Sequence, residues 1–465
     1  MKKEEKMRKK LIAVLSLLFV FSLMAENPKY VFLFIGDGMS SPQRSMTEAF
    51  LKKTKGEALL INHLPVNAAT KTSSANALVT DSAASGTAIA CGEKTNNGRI
   101  GMSADNTRKI YSCAYEAKQA GKKIGIITSV TINHATPASF YGHRASRNEY
   151  YEIGLDLIDS GYDYFAGGAV ASPNNEKSPA YKGDIYELAA KAGYKVVKTR
   201  EDFRALSREN DANNKVIACG IEGPGYMPNY LDNHDGLLLT DFVKKGIELL
   251  DNPKGFFMMC EGGAIDVNCH ANDAATVIFE TLAFNDAVKV AYEFAQKHPQ
   301  ETLIVITGDH ETGALTLGFA NTGFRENIDK LALQKCSFGK VKDKLKDLGK
   351  NKPDLEFDDI KPILTDCYSL KFDGPAGDIM TVTPAELEQL KAAFALQYKS
   401  EKKNGNAVQV TAQKIFNAKV GIAWHSGGHS ALPVITSAWG NGSERFNMGE
   451  YENTFISHTM KELVK

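Results

Sequence analysis

The chain has 465 residues, with 43% hydrophobic and 24% charged side chains, which is typical of a globular protein and excludes extensive disorder. Its 55 basic residues balance 55 acidic residues, so no global basic field attracts nucleic acid, and no module that binds nucleic acid is predicted. Any anionic ligand must therefore be held locally.

The first 25 residues have the pattern of a signal peptide. A basic start, MKKEEKMRKK, precedes an apolar run of fourteen residues from Leu11 to Met24. A membrane-spanning helix needs about 20 apolar residues. The shorter run favours cleavage after Ala25 and a periplasmic or secreted protein without a stable membrane span. The alternative is an uncleaved amphipathic or membrane-anchoring start.

After this leader, short apolar runs rich in β-branched and aromatic residues alternate with helical patterns. The alternation predicts an α/β fold whose mainly parallel central sheet is covered by helices on both faces. Strands are predicted at 30–35, 123–128, 255–260 and 302–307. Helices are predicted at about 107–120, 147–159, 240–250, 272–297 and 383–400, the last with a capping box that begins at Thr383.

The pattern changes between about 320 and 420, where the sequence is rich in lysine, turns and helix-favouring residues. We find no ligand-like cluster in this sequence. We interpret the segment as an insertion or small cap subdomain of one domain that spans 26–465. The alternative is a continuation of the main core.

The seven cysteines are too sparse for a disulfide scaffold, and their spacing is not that of a zinc ribbon. Their odd number leaves at least one unpaired. Cys336 and Cys367 are able to pair in an oxidising compartment, but the sequence leaves this pairing open.

Side chains that can bind metal follow several predicted strands. Ligands of open α/β sheets sit at the carboxyl ends of the strands, so these side chains are expected at one edge of the sheet. They are Asp37, Thr136 with His134, Glu261, Asp309 and His310. Taken alone, the Gly-Asp-Gly that contains Asp37 is equally typical of a turn.

Two further stretches offer histidines. In EGGAIDVNCH, Asp266 and His270 are four residues apart and face the same way on a helical turn, although a surface pair has the same spacing. The stretch WHSGGHSALPV offers His425 and His429, and one of them can be structural. With one late histidine the candidate ligands number eight, which suits two or three ions. Two ions about 4 Å apart clamp the attacking and leaving oxygens of a phosphoryl displacement.

Such a reaction needs a nucleophile and a cation for the phosphoryl oxygens. Ser82, in VTDSAASGTA, can be activated by a metal, and its small neighbours let an anion approach the helix start. The alternative is that Asp81 and Ser82 only cap a helix. Arg147, in GHRASRNEY, offers a planar fork for two oxygens, and Arg144 is the competing choice.

Together these motifs resemble the alkaline phosphatases. FIGDGM, VTDSAASGTA, HATPASFYGHRASR, FAGGA, GFFMMCEGGAID, VITGDH and a final Gly-His-Ser loop follow the family's order over nearly the whole mature chain. The resemblance implies a hydrolase of small phosphate monoesters, usually a homodimer, that forms a phosphoserine at Ser82 while Arg147 holds the phosphate. It also implies that the segment at 320–420 corresponds to the family's variable, crown-like insertions.

The resemblance further implies two zinc sites and a third site that is normally magnesium. The first zinc site is Asp266, His270 and His429, and the second is Asp37, Asp309 and His310. The third site is bridged by Asp37 and completed by Thr136 and Glu261. In the family, the last histidine precedes by eleven residues a glycine that ends a strand, as His429 precedes Gly440, so the resemblance selects His429 over His425.

Two positions depart from the best-known bacterial pattern of the family. His134 stands beside the third site where that pattern has aspartate, so the metal there is expected to be less strictly magnesium. Val267 follows the zinc-site Asp266, where relatives commonly have a lysine or histidine that touches phosphate. We expect weaker binding of inorganic phosphate and faster product release.

The metal cage is shared with enzymes that act on phosphodiesters, sulfate esters or phosphonates. Diesterase relatives typically use threonine as nucleophile, and sulfatases use a modified cysteine in a Cys-x-Pro-x-Arg motif. This chain has Asp81 and Ser82 followed by small residues, which favours monoesters. The alternative from another class is a noncatalytic phosphate- or zinc-binding protein, which the presence of both a nucleophile and Arg147 disfavours.

Overall fold

The computed structural model describes residues 27–211, 214–318, 323, 326–375, 377–400 and 404–465. The predicted signal peptide at 1–25 therefore lies outside the described residues. Within the described ranges, no helix is long and apolar enough to cross a membrane.

A large mixed sheet dominates the described part of the chain. The strands are β1 (Tyr30–Gly36), β2 (Val66–Lys71), β3 (Lys123–Thr131), β4 (Tyr164–Gly168), β5 (Tyr194–Val196), β6 (Lys215–Cys219), β7 (Phe256–Gly262), β8 (Thr302–Gly308), β9 (Glu311–Thr312), β10 (Leu315–Leu317), β11 (Ile422–Trp424), β12 (His429–Ser430), β13 (Val434–Gly440) and β14 (Glu450–Glu452). The ten-stranded sheet has the order β14-β2-β13-β8-β1-β7-β3-β4-β6-β5. From β8 to β5 the strands run parallel, whereas β13 is antiparallel to both β8 and β2. The mainly parallel sheet is thus confirmed.

Helices cover both faces of this sheet. They are α1 (Ser41–Lys55), α2 (Ser82–Cys91), α3 (Cys113–Gln119), α4 (Ala135–Ala138), α5 (Tyr150–Ser160), α6 (Ile185–Lys191), α7 (Arg200–Ala205), α8 (Arg208–Asp211), α9 (Leu239–Leu250), α10 (Ala264–His270), α11 (Ala274–Lys297), α12 (Phe338–Asn351), α13 (Phe357–Tyr368), α14 (Pro384–Phe394), α15 (Ala407–Val420) and α16 (Thr454–Leu463).

The central strand β1 shows why both faces are covered. Phe32 and Phe34 belong to one apolar cluster, and Leu33 and Ile35 belong to another. All four side chains are fully buried, as expected of a parallel strand between two helical layers. The first cluster includes side chains of α9 and α11, and the second includes side chains of α2, α3 and α16.

The described residues between 320 and 420 include helices α12 to α15. Their buried side chains Leu345, Ile360 and Val408 belong to the same apolar cluster as Phe32 and Phe34. The helices therefore share a core with one face of the sheet. The division of the chain into a main domain and an insertion stays a prediction.

The four predicted strands are confirmed as β1, β3, β7 and β8, and each runs one to three residues past its predicted end. The helix predicted at 107–120 begins only at Cys113, because the Ser112 hydroxyl accepts a hydrogen bond from the backbone N–H of Tyr115 and caps it there. The capping box at Thr383 is confirmed: its backbone N–H donates to Glu386 Oε2 at 2.8 Å, and its hydroxyl accepts from the Glu386 N–H at 3.3 Å.

Candidate active site

The register of the central strands brings the predicted ligands to one edge. Gly36 at the end of β1 pairs with Gly308 of β8, so Asp37 and Asp309 leave the sheet side by side. On the other side of β1, Ile35 pairs with Glu261 of β7. Carboxylates from three neighbouring strands therefore meet at the carboxyl edge of the sheet.

The turn after β1 needs a glycine. Gly38 has a φ of 70°, in the region that favours glycine. A Cβ atom there would lie 2.8 Å from Asp266 Oδ1. Any side chain at this position would displace a predicted ligand.

Ser82 is the first residue of α2 and is buried. The capping residue is Asp81, whose Oδ1 accepts a hydrogen bond from the Ala84 N–H at 3.0 Å. The Ser82 hydroxyl instead lies 3.2 Å from His310 Nε2. Asp81 therefore caps the helix, while the adjacent Ser82 hydroxyl faces His310.

Asp266, His270 and His429 form the first group of donor atoms. His270 Nε2 lies 3.2 Å from Asp266 Oδ2 and 3.3 Å from His429 Nε2. His429 Nε2 lies 3.8 Å from Asp266 Oδ1. Because Asp266 and His270 lie on α10 and His429 lies on β12, distant parts of the chain converge here.

The two histidines of this group have their Nδ1 atoms against backbone carbonyls. His270 Nδ1 lies 2.6 Å from Gly427 O, and His429 Nδ1 lies 2.8 Å from Thr80 O. A carbonyl oxygen only accepts, so each Nδ1 donates, as is usual in histidines that bind metal through Nε2. His425 is exposed, and its backbone N–H donates to Gly313 O at 3.1 Å.

Asp37, Asp309 and His310 form the second group, which is fully buried. His310 Nε2 lies 3.4 Å from Asp37 Oδ1 and 3.2 Å from Asp309 Oδ2. The rings of His310 and His429 stack with centroids 3.6 Å apart. The two groups of donor atoms are therefore adjacent.

A third group contains Asp37, Glu261 and His134, whose donor atoms lie within 4.8 Å of one another. Thr136 Oγ1 lies 3.5 Å from Asp37 Oδ2. The sequence predicted His134 only as a neighbour of the third site. The structure brings a ring nitrogen of His134 into the group itself.

Arg147 lies beside this third group. Its Nη1 donates to Asp81 Oδ2 at 3.0 Å, and its Nη2 donates to His134 Nε2 at 3.2 Å. Arg144 instead binds Asp156 through two hydrogen bonds of 2.8 and 2.5 Å. Of the two candidates, Arg147 is the one that faces the donor atoms.

The crowding of carboxylates changes their pKa values. Burial, followed by the charge of Asp309, raises the pKa of Asp37 well above its usual range. Burial also raises the pKa of Asp309 to about 8 and that of Glu261 to about 7. Holding these groups ionised together therefore requires nearby cations.

Some of the carboxylate oxygens in the described site have no hydrogen-bond partner and are able to bind such cations. In the described part of the chain, the buried atoms Asp37 Oδ1, Glu261 Oε1 and Asp309 Oδ2 accept no hydrogen bond. Buried polar atoms normally have partners, and metal ions supply them where hydrogen bonds do not. Imidazole and carboxylate donors suit zinc, and the residues present fit more than one ion.

The sequence model of the alkaline phosphatase family matches residues 28–465 of this chain. The chain belongs to this family.

Relatives and solved structures agree with this membership. Alkaline phosphatase 4 of Bacillus subtilis is 31% identical over 395 residues, which cover 83% of this chain and 77% of that protein. The cold-active alkaline phosphatase of a psychrophilic Shewanella species is 26% identical, with a TM-score of 0.77 over 94% of this chain and 100% of that one. A histidine-to-glutamate variant of the TAB5 alkaline phosphatase, with Mg bound in its M3 site, is 26% identical, with a TM-score of 0.67 over 95% of this chain and 99% of that one.

Membership in the alkaline phosphatase family confirms the fold class and makes the chain a phosphomonoester hydrolase. The family resemblance seen in the separate motifs is likewise confirmed.

Sequence reasoning missed two threonines in the site. The Thr312 hydroxyl donates to Asp266 Oδ1 at 2.5 Å and lies 3.2 Å from His310 Nδ1, so it connects the first two groups. The Thr128 hydroxyl donates to Glu261 Oε2. The sequence held one signal for Thr128, because this residue ends the strand predicted at 123–128. In the structure it pairs with Glu261 in the parallel register.

Proposed function

We propose that the protein hydrolyses phosphate monoesters by a two-zinc reaction in which Ser82 is phosphorylated and then dephosphorylated. The observation that carries the proposal is the 3.2 Å distance between Ser82 Oγ and His310 Nε2. His310 itself lies within 3.4 Å of Asp37 and Asp309. The hydroxyl is thus at the edge of a buried group of metal donors, where a nucleophile needs to be.

The three groups of donor atoms suit three ions. Asp266, His270 and His429 would hold one zinc, and Asp37, Asp309 and His310 would hold the other. Asp37, Thr136 and Glu261, with His134 beside them, would hold the third ion. Its oxygen donors suit magnesium, while the imidazole makes the site less selective for it. When bound, the zinc ions would supply positive charge that lowers the pKa of the Ser82 hydroxyl and stabilises the leaving oxygen.

In the first step, the Ser82 hydroxyl gives its proton to solvent and Oγ bonds to phosphorus. The ester P–O bond breaks, and the leaving oxygen takes a proton from solvent and departs as the alcohol. Arg147 holds two nonbridging oxygens of the phosphoryl group through its planar guanidinium. The hydrogen bond of 3.0 Å from Arg147 Nη1 to Asp81 Oδ2 orients the guanidinium. In the second step, water attacks phosphorus and the bond to Oγ breaks. Ser82 regains its proton and inorganic phosphate is released.

A panel of three substrates tests this function. The purified protein, supplied with zinc and magnesium, should hydrolyse an aryl phosphate faster than a bis-aryl phosphate or an aryl sulfate. The serine nucleophile and the missing sulfatase motif favour this order. A preference for the diester or the sulfate would indicate a phosphodiesterase or a sulfatase. If no ester were hydrolysed, a noncatalytic binding protein would be favoured.

Replacing Arg147 by alanine should raise both KM and the inhibition constant for inorganic phosphate by about 10- to 100-fold, because charge-assisted hydrogen bonds to the phosphoryl oxygens are lost. Steady-state kinetics with phosphate as inhibitor measure both constants. The matched control is Arg144→Ala, which removes an arginine bound to Asp156 and should leave both constants unchanged. Equal effects of the two variants would contradict the role of Arg147.

Replacing Val267 by lysine should tighten inhibition by inorganic phosphate by about 3- to 10-fold, because it adds a cation to the mouth of the site. Val267 is 36% exposed and follows Asp266 directly, so a longer side chain has room there. Val267→Leu changes size without charge and serves as the control. An unchanged inhibition constant in the lysine variant would contradict the hypothesis that Val267 weakens the binding of inorganic phosphate.

Location outside the cytoplasm and assembly as a homodimer are proposed from the family resemblance and from the leader sequence. Both stay predictions.

A further inference from the structure

We propose that Cys336 and Cys367 form a disulfide bond that closes the hairpin of helices α12 and α13. In the structure both are free thiols. Their sulfur atoms and a carboxylate oxygen of Asp366 all lie within 4.8 Å of one another. Rotation about the side-chain bonds is the movement that would bring the two sulfur atoms to bonding distance.

The backbone around the two cysteines is already fixed in this position. The Lys335 N–H donates to Cys367 O at 2.8 Å, and the Ser369 hydroxyl donates to Leu333 O at 2.9 Å. Cys336 precedes α12 by two residues and Cys367 lies in the last turn of α13. A bond between them would join the entry of the hairpin to its exit, where hydrogen bonds already link the two segments.

The surroundings of the two thiols set the order of thiol–disulfide exchange. Cys336 is 7% exposed, whereas Cys367 is fully buried, so a small disulfide reaches Cys336 first. Burial raises the pKa of the Cys367 thiol. A raised pKa disfavours the thiolate, which is the form that attacks a disulfide, so the exchange begins at Cys336.

The oxidant in this exchange is a small disulfide such as oxidised glutathione. One cysteine attacks it, forms a mixed disulfide and releases one glutathione thiol. The second cysteine then attacks the mixed disulfide and releases the other thiol. The protein loses two hydrogens, and the small disulfide gains them.

A zinc site made of the same residues is less well supported. A structural zinc takes four ligands, and the described residues of this cluster provide Cys336, Cys367 and Asp366. The Asp366 carboxylate is largely exposed, and its Oδ2 lies 3.1 Å from Lys344 Nζ. A carboxylate already paired with lysine at the surface is poorly placed to complete a buried metal site.

The disulfide would also stabilise the position of helix α10, which carries Asp266 and His270. Gln334 Nε2 donates to Cys336 O at 3.0 Å and to Asp273 Oδ1 at 2.7 Å. Asp273 follows α10 and caps α11, and its own N–H donates to Asn268 O at 3.0 Å. Closing the hairpin therefore restrains the segment that holds the end of α10.

The test is to incubate the full chain with oxidised or reduced glutathione, denature it without reductant and alkylate the remaining thiols. After oxidation, five of the seven cysteines should be alkylated, and peptide mapping should find the peptides of Cys336 and Cys367 linked. The oxidised protein should also unfold at a temperature a few degrees higher, because the bond restricts the unfolded chain.

Single variants provide the controls. Cys219→Ala lies in β6, away from the hairpin, and should still lose two thiols on oxidation. Cys336→Ala and Cys367→Ala should each give no linked peptides, and any thiol that Cys367→Ala loses should be found as a mixed disulfide of Cys336 with glutathione. The proposal is overturned if all seven cysteines of the unaltered protein remain alkylatable, if the linked peptides contain another pair, or if a chelator rather than a reductant releases the protected thiols.

Discussion

Replacing Ser82 by alanine should abolish transfer of the phosphoryl group to the protein and lower kcat for an aryl phosphate by more than about 10³-fold. The change removes the oxygen that lies 3.2 Å from His310 Nε2 and leaves all the predicted metal donors in place. Acid quenching during turnover of a radiolabelled phosphate monoester measures the covalent phosphoenzyme. Metal analysis of both proteins should give equal contents.

Ser85→Ala is a matched control for this experiment. Ser85 lies one turn further along α2, and its hydroxyl donates to Asp309 O at 2.6 Å. Its loss should cost about 1 kcal/mol of stability, while the phosphoenzyme still forms. If Ser82→Ala protein became labelled, or turned over at close to the unaltered rate, the nucleophile would lie elsewhere.

Removing metal with a chelator should abolish activity and lower the temperature of unfolding. Without cations, Asp37, Glu261 and Asp309 remain buried close to one another, and burial together with their mutual repulsion raises their pKa values. Adding back zinc with magnesium should restore both properties. Activity assays and calorimetry on the same samples measure the effect, and full activity in protein shown to be free of metal would contradict the proposed mechanism.

The effect of the chelator on stability should grow with pH. An unfolded aspartate or glutamate has a pKa of about 4, whereas in the folded chain the pKa of Glu261 is raised to about 7 and that of Asp309 to about 8. Between these values the folded chain binds more protons than the unfolded chain, so its free energy of unfolding falls as pH rises. Chelation should therefore lower the unfolding temperature more at about pH 9 than at about pH 6. An equal decrease at both pH values would contradict this account.

The ends of three central strands were predictable from sequence to within two residues. In β1, β7 and β8 a continuous apolar run changes within one or two residues to glycine and a charged side chain, which marks the edge of a buried parallel sheet. The helix start at Cys113 was mispredicted, because the local pattern did not show that Ser112 would be the capping residue. Such short-range signals locate elements better than their boundaries.

The choice between His425 and His429 was not predictable from the local sequence, because the two histidines flank the same pair of glycines and each is followed by serine. It required the family resemblance, and in the structure it depends on contacts far apart in the chain. His429 is directed by Thr80 O, 349 residues earlier, and by the pairing of β12 with β9. The partnership of Asp81 with Arg147 is also long-range and has no local signal.

The pairing of β12 with β9 has a consequence for the order in which the protein matures. His429 lies in the last tenth of the chain, so it reaches its group only after nearly all of the chain has been synthesised and β12 has docked beside Thr312. A nascent or truncated chain that ends before this point has Ser82 and most of the ligands but an incomplete first group. The first group of donor atoms is therefore completed only when the last part of the chain joins the fold.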